Sequence, residues 1–178
     1  MMDMKKILNP FDCAGQICEA MKQGILLTTK ANNKVNTMTI GWGHIGIEWG
    51  RPIFVAYVRE TRHTKQMLEE NGEFTVNIPV GEPMKAALGF CGSKSGRDVD
   101  KIQELGLTLE DPISISVPGI QEFPLTLECK VIYKQKQDLS ALPDDILHRY
   151  YPADETGFRD YHYAFYGQIL NAYHITQE

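Results

Sequence analysis

Cysteine is scarce in this chain. There are four in 178 residues and none at CxxC spacing, which excludes a disulfide-stapled scaffold and a paired-thiolate metal site. Cys13 and Cys18 are five positions apart, about 140° around a helix, so they cannot grip one metal from the same face. All four are read as reduced thiols. Positive charge is also short: 18 Lys and Arg against 23 Asp and Glu give a net charge of −5. Surface-wide attraction to nucleic acid or an anionic membrane is therefore excluded, and any polyanion site has to be local. No apolar run approaches the roughly 20 residues that span a bilayer. MMDMKKILNP lacks the apolar stretch of a secretion signal. The expectation is a cytoplasmic protein with no nucleic-acid or membrane partner. His44, His63, His148, His162 and His174 are scattered without HxH or HExxH spacing, and no GxSxG occurs. Neither a metal site nor a hydrolase is expected.

What the chain does have is core-forming material. Apolar residues make up 43% and aromatics 10%, enough for one domain over 1–178. No internal repeat or Gly/Ser linker divides it. A helix is expected over 12–22, capped by Asp12 and ended by Gly24. GILLTTK and VNTMTIGWG read as a hairpin around KANNK, where Asn32 and Asn33 tolerate positive φ. IFVAYV, opened by Pro52, is apolar without alternation, as in a strand covered on both faces, and is expected at the sheet's centre. A short helix over 64–70 precedes the strand EFTVNI. Two more helices are expected over 82–90 and 98–105, the second capped by Asp98 and closed by Gly106. Residues 106–122 read as loop, LTLECKVIYKQ and AFYGQILNAYHI as strands, and 138–160 as a long segment covering a site. Six or seven strands in antiparallel-compatible succession, with connections too short for crossover helices, make the fold class mainly β with short helices, a barrel with helical insertions.

Three segments hold residues suited to chemistry. RETRHTK, 59–65, sets Arg59, Arg62 and Lys65 beside Thr61, His63 and Thr64 just before a helix. Basic residues there oppose the helix dipole, but an anion is stabilised by the free N–H groups and the dipole together. A phosphate site and a threonine-capped helix with solvated basic side chains are both open on this segment alone. CGSKSGRDVDKI, 91–102, offers Gly92 and Gly96, the hydroxyls of Ser93 and Ser95, and the charges of Lys94, Arg97 and Lys101. It matches neither the P-loop nor the GxGxxG pattern and reads as an anion wrap or an ordinary loop entering a helix. The same basic neighbours raise the question of a reactive Cys91, against the simpler reading of a small buried apolar residue. NTMTIGWGHIGIEWGRP, 36–52, places Asn36, Thr37, Met38 and Thr39 on a strand leading to Trp42. Gly41 and Gly43 there let a flat ligand or backbone come close.

In this order, NTMTIGW, VRETRHTKQMLEENGEFTVNI, CGSKSGRDVDKI and DYHYAFYGQI resemble the flavin reductase-like (flavoredoxin-type) family, over Gly24 to Ile175. The resemblance implies an FMN-binding split β-barrel that carries FMN non-covalently. It implies Asn36, Thr37, Met38 and Thr39 against the isoalloxazine, Trp42 at its border and His162 near it. Thr61, Arg62, His63, Thr64, Lys65 and Lys101 are implied for the ribityl phosphate, and Arg59 and Ser95 complete the candidate set. Many relatives read Gly-Asp-His where this chain has Asp160-Tyr161-His162. The activity implied is an FMN-dependent oxidoreductase, a flavin reductase or an electron carrier, with NAD(P)H or a redox protein as donor. A non-catalytic barrel binding flavin, haem or another phosphorylated ligand is the alternative. A homodimer is expected as well, with Trp49, Tyr133 and Tyr173 as strand aromatics on its contact face.

Overall fold

The computed structural model describes residues 4–176. Its frame is an eight-stranded antiparallel sheet. The strands are β1 (Met4–Ile7), β2 (Ile25–Ala31), β3 (Lys34–Ile40), β4 (Gly43–Glu48), β5 (Arg51–Arg59), β6 (Glu73–Ile78), β9 (Leu125–Lys136) and β10 (His162–Thr176). A separate two-stranded hairpin pairs β7 (Leu109–Glu110) with β8 (Gly119–Ile120). The sheet order is β3-β2-β6-β9-β10-β5-β4, and β1 pairs with the far end of β10. β10 organises the barrel. Its first half pairs with β5, its last residues pair with β1, and β9 runs beside both stretches with irregularities at Tyr166/Gly167 and Ile169/Asn171. Such bulges bend a strand and increase its twist, which lets one strand serve two partners in turn.

The main core lies inside the sheet and is filled by Leu27, Phe54, Phe74, Leu127 and Phe165. Helix α1 (Ala14–Met21) closes it with Ile17 and Met21. Each such side chain contributes roughly 1.5–3 kcal/mol when fully buried. β2 is covered on its other face too, where Leu26 meets Leu88, Cys91 and Phe123. That second cluster seats α3 (Lys85–Ser93) and α4 (Lys101–Leu105) against the sheet. Thr28, Thr37 and Asn77, buried between the strands, satisfy one another. Thr28 Oγ1 donates to Asn77 Oδ1 at 2.6 Å and lies 3.0 Å from Thr37 Oγ1, as buried hydroxyls and amides require.

Several expectations are corrected here. β1 and β4 do not appear in the sequence reading because both are weakly buried edge segments with little apolar alternation. β5 is indeed covered on both faces, by the core and by packing of Ile53 and Val55 against Ala164, Tyr57 and Tyr166. It sits second from the β4 edge, however, and not at the centre. The 106–122 segment holds the β7–β8 hairpin, and its loop is pinned by carboxylates. Glu128 accepts from Ile113 N at 2.6 Å and Ser114 N at 2.9 Å, and Glu73 accepts from Ser116 N at 2.8 Å. α4 is capped by Asp100, accepting from Gln103 N at 3.1 Å, instead of by Asp98, and α1 starts at Cys13 with no side-chain cap from Asp12. Residues 138–160 carry a 3-10 turn (Leu139–Ala141) and α5 (Asp144–Tyr150). Tyr173 is fully buried, so it offers nothing to a contact face, whereas Trp49 and Tyr133 are exposed. Gly41, Gly43 and Gly46 spell GxGxxG, yet they lead into β4 and not a helix, so the dinucleotide fingerprint has no phosphate-binding helix terminus here.

Candidate functional site

One continuous groove runs along β3. It opens as a small cavity of about 120 Å³ at the start of α2 (His63–Glu70), narrows past Met38, Thr39 and Arg62 into a second of about 170 Å³, and widens beyond Trp42 and Tyr57 into a third of about 640 Å³. Neighbouring cavities share those residues, which is why they form one path.

The first cavity is cationic. Arg62, Lys94, Arg97 and Lys101 line it, with Asn36, Thr64, Ser95 and Gly96. Helix α2 begins at Arg62 with no side-chain cap and no acidic residue in its first turn, so its own leading N–H groups have no side-chain acceptor, and the Asp160 carboxylate accepts from Thr61 N at 3.1 Å just ahead of them. Thr64 does not cap either. Its hydroxyl accepts from Asn36 Nδ2 at 3.1 Å, fixing β3 against α2. Gly96 is required by a close approach, because a Cβ there would run into Asn36 Oδ1 and lie 3.1 Å from His63 Cδ2. His63 Nδ1 is buried without a hydrogen-bond partner. Lys101 is the anchor of this end. Only 4% exposed, its Nζ donates to Thr37 O and Cys91 O, both at 2.9 Å, and it forms no ion pair with a carboxylate among the described residues. Burial, and after it the Arg62 charge, hold its pKa below the usual lysine value, while Cys91 pulls the other way. A buried ammonium beside a guanidinium, an uncapped helix start and an unpartnered ring nitrogen together fit an anion.

The second cavity is lined by Met38, Thr39, Trp42, Tyr57, Arg59 and His162, among others. The Trp42 ring lies 5.1 Å from that of His162 and 5.2 Å from that of Tyr150. His162 Nδ1 is 2.8 Å from the Tyr151 hydroxyl. Burial and the neighbouring Arg59 push its pKa down to about 4, so it is neutral at pH 7. Arg59 donates to Asp160 O at 2.5 Å and Tyr150 O at 3.1 Å, tying β5 to the 138–160 segment.

Of the residues singled out from the sequence, the groove gathers Asn36, Met38, Thr39, Trp42, Arg59, Thr61, Arg62, His63, Thr64, Ser95, Lys101 and His162. Two stand apart. The Thr37 side chain is buried against Thr28 and meets the site only through the carbonyl that Lys101 holds. Lys65 turns away from the cavity to Glu60 at 3.2 Å and Glu69 at 3.1 Å, and these two carboxylates hold its ammonium. Thr61 is at the cavity, but its hydroxyl is already given to Asp160 Oδ2 at 2.7 Å. Cys91 is 1% exposed with its thiol pKa raised by burial, so it is a packing residue and not a reactive one. Tyr57, Tyr150 and Tyr151 belong to the groove although nothing in the sequence selects them. They arrive there through the pairing of β5 with β10 and the fold-back of the 138–160 segment.

Fold and groove together define a split-barrel protein whose elongated site is cationic at one end and aromatic at the other. A family model for the flavin reductase like domain matches residues 20–178. This chain belongs to the flavin reductase-like family. It is 26% identical to flavoredoxin from Methanosarcina acetivorans over 85% of this chain and 67% of that one, with a TM-score of 0.64. An FMN-binding domain of a flavin reductases-like enzyme from Shewanella baltica OS155 shares the fold, with a TM-score of 0.62 at 15% identity over 98% of this chain and 78% of that one. An uncharacterized protein of Archaeoglobus fulgidus is 30% identical over 65% of this chain, and the match spans 64% of that protein's length.

Proposed function

We propose that this chain binds FMN along the groove and uses it as an oxidoreductase, passing electrons from NAD(P)H or a redox protein to an acceptor. The observation that carries this reading is the buried, carboxylate-free ammonium of Lys101 beside Arg62 at the uncapped start of α2, continuous with a slot walled by Met38, Trp42 and His162. Phosphate would be held at the cationic end by Arg62, Ser95, Lys101 and the α2 N–H groups. The isoalloxazine would lie along β3, where Thr39 and the backbone of Gly41 offer polar contacts and Met38 and Trp42 offer apolar ones.

FMN, once bound, supplies one- and two-electron redox chemistry, which no side chain here provides. The protein's part is to hold and shield. Arg62 and Lys101 offset the phosphate charge, Trp42 and Tyr150 cover the slot from water, and His162, neutral at pH 7, presents a hydrogen bond without adding charge. We also propose that the chain works in the cytoplasm as a homodimer, with the exposed Trp49 and Tyr133, whose rings meet at 5.9 Å, at the contact face. A lasting monomer in dilute sedimentation runs would remove that part.

The test is the visible spectrum of the purified protein, followed by titration with FMN and riboflavin. A flavin spectrum and a clear preference for FMN support the reading, and equal affinities would sink the phosphate assignment. Steady-state NAD(P)H oxidation with added FMN then separates a reductase from a carrier reduced only by a protein donor.

A further inference from the structure

The cavity of about 640 Å³ beyond Trp42 has none of the chemistry of the cationic end. Its volume is that of a site for a small organic molecule. Trp42, Tyr57, Tyr150 and Tyr151 wall it, and Met21 and Ile146 add aliphatic surface. Ile146 comes from α5, a helix with no buried residue, and is 38% exposed. The apolar surface that α5 turns to the cavity is thus left without a protein partner. Among the described residues no Asp, Glu or Arg lines this space, and its one lysine, Lys22, is an exposed side chain paired with Glu19 at 2.5 Å. A carboxylate or phosphate would find no buried counter-charge here to offset the hydration it gives up.

Apart from Lys22, the polar groups are few. The Tyr57 hydroxyl lies 3.3 Å from His44 Nδ1, and burial raises its pKa, so it stays a proton donor. Gln137 Oε1 accepts from the backbone N–H of His162 at 3.2 Å, which leaves its amide N–H groups for a ligand. Aromatic faces favour a flat ring, and neutral donors favour a carbonyl oxygen on it.

We propose that this cavity binds a flat, uncharged, conjugated cyclic carbonyl compound of the quinone type. The proposal rests on the flavin reading for its place beside a redox group, though the recognition itself needs only the cavity. Trp42 and Tyr57 line both this cavity and the slot along β3, so the quinone ring would lie next to whatever fills that slot.

Calorimetric titration with duroquinone and with 2-naphthoate, on protein with and without FMN, tests this directly. Duroquinone has no free ring position for a thiol to attack, so the exposed Cys18 at the cavity mouth does not confuse the result. Duroquinone is expected to bind about tenfold tighter than 2-naphthoate, or more. Ile146→Asp should weaken duroquinone by a similar factor and leave FMN affinity unchanged, and Ile146→Ser serves as a second variant should the first not fold. Equal affinity for the two probes, or native duroquinone binding in both variants, overturns the proposal. If FMN does not bind but duroquinone does, and is lost in Ile146→Asp, the flavin reading falls and the cavity assignment stands. If FMN binds and duroquinone does not, only the cavity assignment falls.

Discussion

The two ends of the groove are built in opposite ways. At the cationic end each element is cross-linked to the next by specific hydrogen bonds: Asn36 to Thr64, Thr39 to Leu88 O at 2.6 Å, Lys101 to β3 and α3, and Arg97 to Thr61 O at 3.1 Å and Gln66 at 3.0 Å. At the aromatic end, the 138–160 segment is fastened mainly at its base, where Arg59 and Arg159 donate to carbonyls of Tyr150, Tyr151 and Asp160, while α5 itself buries nothing. The first end is preorganised, and preorganised charge gives affinity and fixed register. The second is an aromatic pouch under a loosely packed helix, able to accommodate different rings. Affinity for the resident group should therefore be decided at one end, and choice of reaction partner at the other.

The sharpest way to break this division is Lys101→Met. Two carbonyls lose their donor, but a desolvated ammonium without a carboxylate partner is removed as well, so the two effects on the FMN-free fold oppose each other. Binding should show what stability hides. Losing one charge-assisted contact to phosphate weakens FMN about ten- to a hundredfold and barely touches riboflavin. Fluorescence titration of both flavins gives the ratio, and an equal loss for the two would make Lys101 a purely structural tie.

Gly96→Ala probes the close packing of the same end. The added methyl runs into Asn36 and crowds His63, so the Asn36–Thr64 bond has to shift. The backbone at Gly96 is not in the left-handed region, which leaves the fold intact. A lost neutral hydrogen bond corresponds to about a three- to tenfold weaker FMN. In an Asn36→Ser background the methyl has room, and the double variant should lose little beyond the single one. Simple additivity of the two losses would show that the packing at Gly96 is unrelated to the site.

How much of this was legible beforehand follows the distance over which information has to travel. The β2–β3 hairpin, α2, β6, β9 and β10 are visible because each writes its own periodicity into the sequence. The cationic cluster is visible because RETRHTK and CGSKSGRDVDKI concentrate basic residues in an acidic chain. The orientation of Lys65 was not readable. Its partners Glu60 and Glu69 are close in sequence, but whether they or the cavity claim the ammonium depends on how α2 docks. The aromatic cavity was wholly hidden, since Trp42, Tyr57 and Tyr150 meet only after β5, β10 and the 138–160 segment are assembled. The burial of Tyr173 is hidden for the same reason: alternation along β10 assigns it a face, and only the assembled fold sets Gly119 and Lys5 against it.

Midway between the ends, His162 gives a pH test. Its pKa is about 4 in the fold against an ordinary 6.5. As pH falls, the unfolded chain takes up this proton first, so stability is fully present above pH 6.5 and declines as pH drops toward 4. His162→Gln removes that titration. Denaturation midpoints measured from neutral pH downward should fall less steeply in the variant, and identical slopes would assign the acid sensitivity to other groups.

The smallest expected effect separates geometry from charge count. Lys65 lies in the same basic run as Arg62 and, by sequence alone, belongs to the phosphate set. In the fold its ammonium sits between Glu60 and Glu69, with a side chain only 12% exposed, and is 4.8 Å from the centre of the Tyr163 ring. Two carboxylates already offset its charge, so little of its field reaches the cavity. Lys65→Met keeps the stem that packs on Tyr163 and removes only the ion pairs, which lie among partly exposed carboxylates and are worth about 1 kcal/mol or less. FMN affinity should stay within about twofold of native. Lys101→Met, one charge removed from the same groove, should differ from it by an order of magnitude. If both lysines weakened FMN equally, the site would be answering to net positive charge and not to the buried donor at the cationic end, and the division between the two ends would fail at its stronger side.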